Sequence, residues 1–305
     1  MYTVKQNLAR LSAKLPKARA APPEMQDLKN VGDDGLAIDT VGTWSEEKYR
    51  LVSLYAGMFA KSMRGKYGAL VYIDMFAGPG RVQIKHTSRF YTSLPINALA
   101  IEPAFDTLIF CEQGADKLAA LRARCDAQYA DRDIRFVAGD VNAKTAEILQ
   151  HIPKHRKDYG VLMLCFVDPY NMSSLRFETL EALKDRWADF LVLIPSEMDA
   201  ERGRQVYVEE GNETVGVFVG NPGWRAAWSD AQQREIRFEQ FVVEEFGRSM
   251  TRIGRINPEL SETHVMKNTV NRTLYRLALY SRKEIAGKFW AQAQKYAKPN
   301  LELPF

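Results

Sequence analysis

The stretch Val71-Tyr72-Ile73-Asp74-Met75-Phe76-Ala77-Gly78-Pro79-Gly80 constrains this chain most, because a nearly continuous apolar run ends in an acid and turns at once on two glycines. Gly78 and Gly80 let the backbone approach a ligand with no Cβ in the way. An apolar run of this kind reads as a strand buried on both faces of a parallel sheet. Four similar runs follow it, at Thr107–Glu112, Ile134–Ala138, Val161–Val167 and Phe190–Ile194. Helical stretches such as Ala115–Cys125 and Ala143–Gln150 lie between them and have the length of crossover connections. Five strands alternating with helices predict an α/β fold with a doubly wound, mostly parallel Rossmann-like sheet. Near the end, His264–Val270 and Thr273–Ser281 can pair about Asn271-Arg272, which predicts an antiparallel hairpin closing the sheet.

The flanks read differently. Residues 1–40 are basic, apolar only in patches and broken by Pro16, Pro22 and Pro23, and so form a basic N-terminal arm to a domain spanning 41–305. Trp44-Ser45-Glu46-Glu47 opens a helix to about Met63, with Ser45 as its expected N-cap. Residues 197–250 break the strand–helix rhythm and are expected as a helical insertion over the carboxyl edge of the sheet. Residues 248–305 hold eleven Lys/Arg against four Asp/Glu, and residues 1–30 hold six against two, so the net charge of +4 conceals basic ends around an acidic middle. Such ends can place a polyanion beside a catalytic domain. No apolar run approaches the roughly 20 residues of a membrane span, and the first 30 residues lack a signal-peptide core. Cys111, Cys125 and Cys165 have neither zinc spacing nor a disulfide framework. No metal and a reducing cytoplasm are expected.

The turn is not the dinucleotide G-x-G-x-x-G, because the third glycine is missing. Its pattern D-x-F-x-G-x-G is the methyltransferase variant, in which the turn around Phe76, Gly78 and Gly80 cradles the amino-acid end of S-adenosylmethionine and Asp74 reaches the ammonium. Glu112, closing the next strand, can accept both hydroxyls of a ribose. Asp140, closing the strand after that, can accept from an adenine amino group, with Val141 flanking the ring. Three acids closing three successive strands share one crevice, where open α/β sheets bind ligands. Asp74 and Glu112 lie 38 residues apart, against about 20 in the dinucleotide folds. Residues 81–92 account for the excess and are expected as an inserted basic loop carrying Arg81, Lys85, His86 and Arg89. Ser93 then caps the postponed helix, with Pro95 in its first turn.

The fourth strand ends in Asp168-Pro169-Tyr170-Asn171. In amino-methyltransferases this position takes an exocyclic amine: the side-chain oxygen and a backbone carbonyl accept its N–H groups, and the aromatic stacks on a base that is turned out of its helix. Positioning in a water-poor site supplies most of the rate. Asp168, Pro169, Tyr170 and Asn171 are therefore the candidate catalytic residues.

Trp44…Lys48, Ile73–Gly80, Ser93–Ile96, Phe110-Cys111-Glu112, Phe166–Tyr170 and the closing Asn268…Leu274–Leu277 and Ser281-Arg282-Lys283 resemble the three-Cys-motif partner protein family (TcmP) over about residues 40–290. That resemblance implies a methyltransferase-like fold and a genetically linked partner protein that carries the three-Cys motif. The common D/N-P-P-Y motif has two prolines where this chain has one, and Asp-Pro-aromatic-Gly of the tRNA guanine-N2 methyltransferases has glycine where this chain has Asn171. An N-methyltransferase acting on a nucleic-acid base is the expectation, with adenine, guanine or cytosine, and DNA or RNA, all open. The other expectation is a methyltransferase-fold partner-binding or defence component with no methyl transfer of its own.

Overall fold

The computed structural model describes residues 31–268 and 270–297. Strand β1 (Asp39–Val41) leads into helix α1 (Trp44–Met63), then β2 (Ala69–Asp74), β3 (Arg81–Ile84), β4 (Phe90–Thr92) and the short α2 (Leu94–Leu99). Next come β5 (Thr107–Glu112), α3 (Ala115–Gln128), β6 (Ile134–Ala138), α4 (Val141–His151) and β7 (Val161–Val167). The second half runs through α5 (Phe177–Glu181), β8 (Ala188–Ile194), a π-helical segment Ser196–Glu201, α6 (Arg202–Tyr207), α7 (Thr214–Val219), α8 (Trp224–Gln233) and α9 (Phe238–Arg252). It closes with β9 (His264–Lys267), β10 (Thr273–Tyr280) and α10 (Glu284–Tyr296).

Seven strands form the main sheet in the order β6-β5-β2-β7-β8-β10-β9. β6, β5, β2, β7 and β8 pair in parallel, while β10 runs antiparallel to both β8 and β9. The doubly wound, mostly parallel sheet and its closing hairpin are as the strand pattern predicts. Successive side chains of a strand point to opposite faces, and this chain fills both. Leu70, Tyr72, Leu164, Phe166, Leu191 and Leu193 pack with α1, α3 and α10. Val71, Ile73, Met163, Cys165, Phe190 and Val192 pack with α4 and with Phe218, Trp224 and Phe241 from the later helices. The stretch after β8 therefore starts over the carboxyl ends of the strands, where the Asp199 carboxylate accepts from the Met172 N–H at 2.7 Å, and then covers the second face. All three cysteines are buried and unpaired, and burial pushes the Cys111 thiol up to about 12.

Three local expectations are corrected. Residues 81–92 are not a loop: β3 pairs with β4 and, in parallel, with β1, making a three-stranded sheet. The alternation of Arg81-Val82-Gln83-Ile84 is the reason, since Val82 and Ile84 are buried and the intervening residues are not. His86 sits in the connecting turn at φ 61°. The end of the expected arm belongs to the domain too, because Arg124 holds Asp34 by an ion pair at 2.6 Å and β1 pairs with β3; residues 1–30 lie outside the described residues. Neither serine caps by its side chain. Helix α1 starts after Thr43, and the Oγ atoms of Ser45 and Ser93 are buried without a hydrogen-bond partner, although Pro95 does stand in the first turn of α2.

Candidate cofactor and acceptor site

From β2 the chain passes to β5 and β6 on one side, then returns to β7 on the other. β2 and β7 thus flank the topological switch point, where the outgoing connections diverge and leave a crevice at the carboxyl ends. Asp74 is paired in register with Phe110 of β5 and Phe166 of β7. Asp168 follows two residues beyond Phe166, so both acids stand at this crevice.

The turn after β2 is held by its neighbours. Met75 N–H donates to Phe166 O at 3.1 Å and Ala77 N–H to Cys111 O at 2.9 Å. Gly78 and Gly80 take φ of 64° and 87°, a region side chains disfavour. A Cβ on Gly80 would also meet Leu121 Cδ1 at 2.8 Å. Glu112 ties the turn to β5, with Oε2 accepting from Gly78 N–H at 2.8 Å and Oε1 from Gly114 N–H at 2.7 Å. A carboxylate offers about four acceptor positions, so each oxygen keeps capacity for a ligand hydroxyl.

Asp74 is 1% exposed. Burial above all, then the charges of Asp168 and Glu112, push its carboxyl up to about 8, against the opposing pull of the Phe76 N–H bond at 3.2 Å and of Lys48. It is a buried acid without an adequate counter-charge. Phe76 is half-buried beside it, on the second core. Asp140 caps α4: its Oδ1 accepts from Asn142 N–H at 3.0 Å and Ala143 N–H at 3.1 Å, which leaves Oδ2 with a single 3.4 Å contact from Asn142 Nδ2. Val141 is buried at the first position of that helix.

On the acceptor side, the Lys48 ammonium lies 2.5 Å from Asp168 Oδ2, with side chains 6% and 21% exposed. Lys48 also lies over the rings of Trp44 and Tyr49, at 5.0 and 5.3 Å. Pro169 is buried, and Tyr170 is 86% exposed, its ring free to receive a planar partner. Asn171 faces its own turn instead: its Oδ1 accepts from Ser174 N–H and from the Ser173 and Ser174 hydroxyls. The structure brings Asp74, Gly78, Glu112 and Asp168 together and leaves Asn171 as a cap.

Two contributors stand outside the site residues expected from the sequence. Lys48 interrupts the buried stripe of α1 that continues through Leu51, Val52 and Tyr55; a lysine in such a stripe is itself a signal, because lysines are almost never buried unpaired. Asp39, from β1, approaches the glycine turn, its Oδ2 3.2 Å from where a Gly78 Cβ would be, and pairs with Lys117 at 2.7 Å.

No family profile matches the chain, and no curated protein matches it. Solved structures do. The protein LPL1258 from Legionella pneumophila, of family DUF519, is 13% identical over 82% of this chain and 90% of its own, with a TM-score of 0.45. Trm1 from Pyrococcus horikoshii, solved with S-adenosyl-L-methionine, is 10% identical over 87% of this chain and 62% of its own, at 0.43. Magnesium protoporphyrin IX methyltransferase from Synechocystis, solved with bound SAH, is 13% identical over 78% and 87%, at 0.38. The doubly wound, mostly parallel Rossmann-like sheet rests on the chain's own strand order. Within that fold the acids, the glycine turn and Asp168-Pro169-Tyr170 occupy the crevice side, and no group of His, Cys, Asp and Glu among the described residues could hold a metal ion. No helix among them is long and apolar enough to cross a membrane.

Proposed function

We propose that the protein is an S-adenosylmethionine-dependent N-methyltransferase whose acceptor is an exocyclic amine of a nucleic-acid base. One observation carries this reading: the glycine turn and Asp74 stand across the switch point from Asp168-Pro169-Tyr170. The cofactor's features find complements in the chain. Asp74 has too little counter-charge from Lys48, and an ammonium would supply more. Glu112 retains acceptor capacity for a ribose diol, and Asp140 Oδ2 for an amino group. Bound there, S-adenosylmethionine would supply an electrophilic methyl group.

The chain's own residues would then orient the acceptor. Lys48 occupies one acceptor position of the Asp168 carboxylate, and the positions left would accept the amine N–H and aim the nitrogen lone pair. Lys48 fixes the carboxylate's rotation, and Tyr170 offers a stacking face. Positioning of this kind converts an encounter into an intramolecular geometry and lowers the barrier by several kcal/mol.

Isothermal titration with S-adenosylmethionine and S-adenosylhomocysteine tests the cofactor, and transfer of labelled methyl groups to total RNA and DNA tests the acceptor. Both should be positive, and Asp168→Ala should abolish transfer while leaving cofactor affinity intact. Cofactor binding with no transfer, together with a stable complex with a partner protein, would favour a non-catalytic scaffold of the three-Cys-motif partner kind.

A further inference from the structure

At the opposite, amino-terminal edge of the sheet, α1 and α10 part over the first residues of β7 and β8. They leave a cavity of about 540 Å³ lined by Tyr55, Phe59, Tyr67, Leu162, Trp187 and Phe289, among others. This is the size and apolar character of a small-molecule site, which also needs a few convergent polar groups. Trp187 and Ile285, 41% and 43% exposed, lie on its lining and keep large apolar surface open to solvent.

The polar group inside is Asp189, the second residue of β8. Its side chain shares a face with Leu191 and Leu193, the face that α1 and α10 cover. Its charge is felt by the Tyr55 and Tyr67 phenols, both raised chiefly by burial and in part by Asp189. The Ser281 hydroxyl donates to it, yet burial still pushes its carboxyl up to about 6.

Arg255 is the cation that acts on Asp189, and it is committed elsewhere. Its five N–H groups go to the carbonyl oxygens of Leu183, Lys184, Arg186, Ala188 and Ile253, and its guanidinium lies over the Phe190 ring at 5.2 Å. A guanidinium has five such donors in all. Among the described residues, Asp189 is thus a buried acid with one hydroxyl partner and no salt bridge, facing an aromatic-walled space. The methyltransferase crevice, at the other ends of the strands, makes no use of it.

We propose that this cavity is a second ligand site, which takes a small organic amine: the ammonium on Asp189 and Ser281, and an aromatic-sized apolar body among Tyr55, Phe59, Tyr67 and Phe289. Aromatic faces attract cations, so walls and floor select the same ligand. Arg282 and Lys283 also line the cavity, and their charge favours an outer end that is neutral or anionic.

Ligand-observed NMR with tryptamine, indole and indole-3-propionate tests this on the full chain. Tryptamine should bind, with indole and indole-3-propionate both weaker. Asp189→Asn should weaken tryptamine at least tenfold and leave indole unchanged. Ile285→Lys, at a solvent-exposed position of α10, should weaken tryptamine without touching Asp189, and it carries the test if the first variant misfolds. Equal tryptamine affinity in wild type and variants, or no tryptamine binding at millimolar concentration, would overturn the proposal. Neither outcome bears on S-adenosylmethionine binding at the crevice.

Discussion

Replacing Asp74 by Asn keeps the shape of the side chain and the acceptor for the Phe76 N–H, but removes a titration. The carboxyl moves from an ordinary 3.8 to about 8 in the folded chain, so between those values the native state holds a proton that the unfolded chain has released. Stability from this group is therefore complete below about pH 4 and drains away as pH rises towards 8. One proton corresponds to about 1.4 kcal/mol per pH unit. Over the whole window that is about 6 kcal/mol, an upper figure, because the interior relaxes around a new charge. The neutral Asn variant carries no such loss. The difference in melting temperature, variant minus wild type, should be smallest near pH 4, climb by about 2–4 °C per pH unit, and level off above pH 8. Differential scanning calorimetry of the two proteins in matched buffers measures it, since titrations not coupled to Asp74 cancel in the difference. A flat difference, or one that falls with pH, would refute the claim that Asp74 is an uncompensated buried acid.

The same acid makes cofactor binding proton-linked. An ammonium bound to the Asp74 carboxylate displaces the proton held at pH 7, so titration heats in buffers of different ionisation enthalpy should show release of about one proton per S-adenosylmethionine, and none in Asp74→Asn. Lys48→Met should cost about 2–4 kcal/mol by leaving Asp168 without its cation, and Lys48→Met with Asp168→Asn should recover most of it in urea unfolding. Recovery of nothing would mean that the two side chains are not coupled. Gly80→Ala forces a side chain to φ 87° and into Leu121 and Ile96; a loss of about 1–3 kcal/mol and weaker cofactor affinity are expected, measured by melting and by titration.

Legibility in the sequence followed how local each signal is. β2, β5, β6 and β7 were readable because strands buried on both faces are continuous apolar runs with sharp ends. β3 and β4 are not legible although Arg81–Ile84 alternates, because basic residues and His86 give the segment the composition of a loop. Its pairing with β1 joins residues some forty positions apart. Asn171 read as part of the acceptor motif, but a side chain one turn from two serines finds local donors first.

The sequence alone determined the alternating architecture, the glycine turn and the acids at strand ends, because hydrophobic period and turn chemistry are written over a few residues. Only the tertiary structure decided that β2 and β7 are neighbours, which places Asp74 and Asp168 at one crevice. It alone brought Lys48 onto Asp168 across 120 positions, and left Asp189 buried without an ion pair among the described residues. Charge pairing and desolvation depend on which distant elements meet in space, and no short run of residues encodes that.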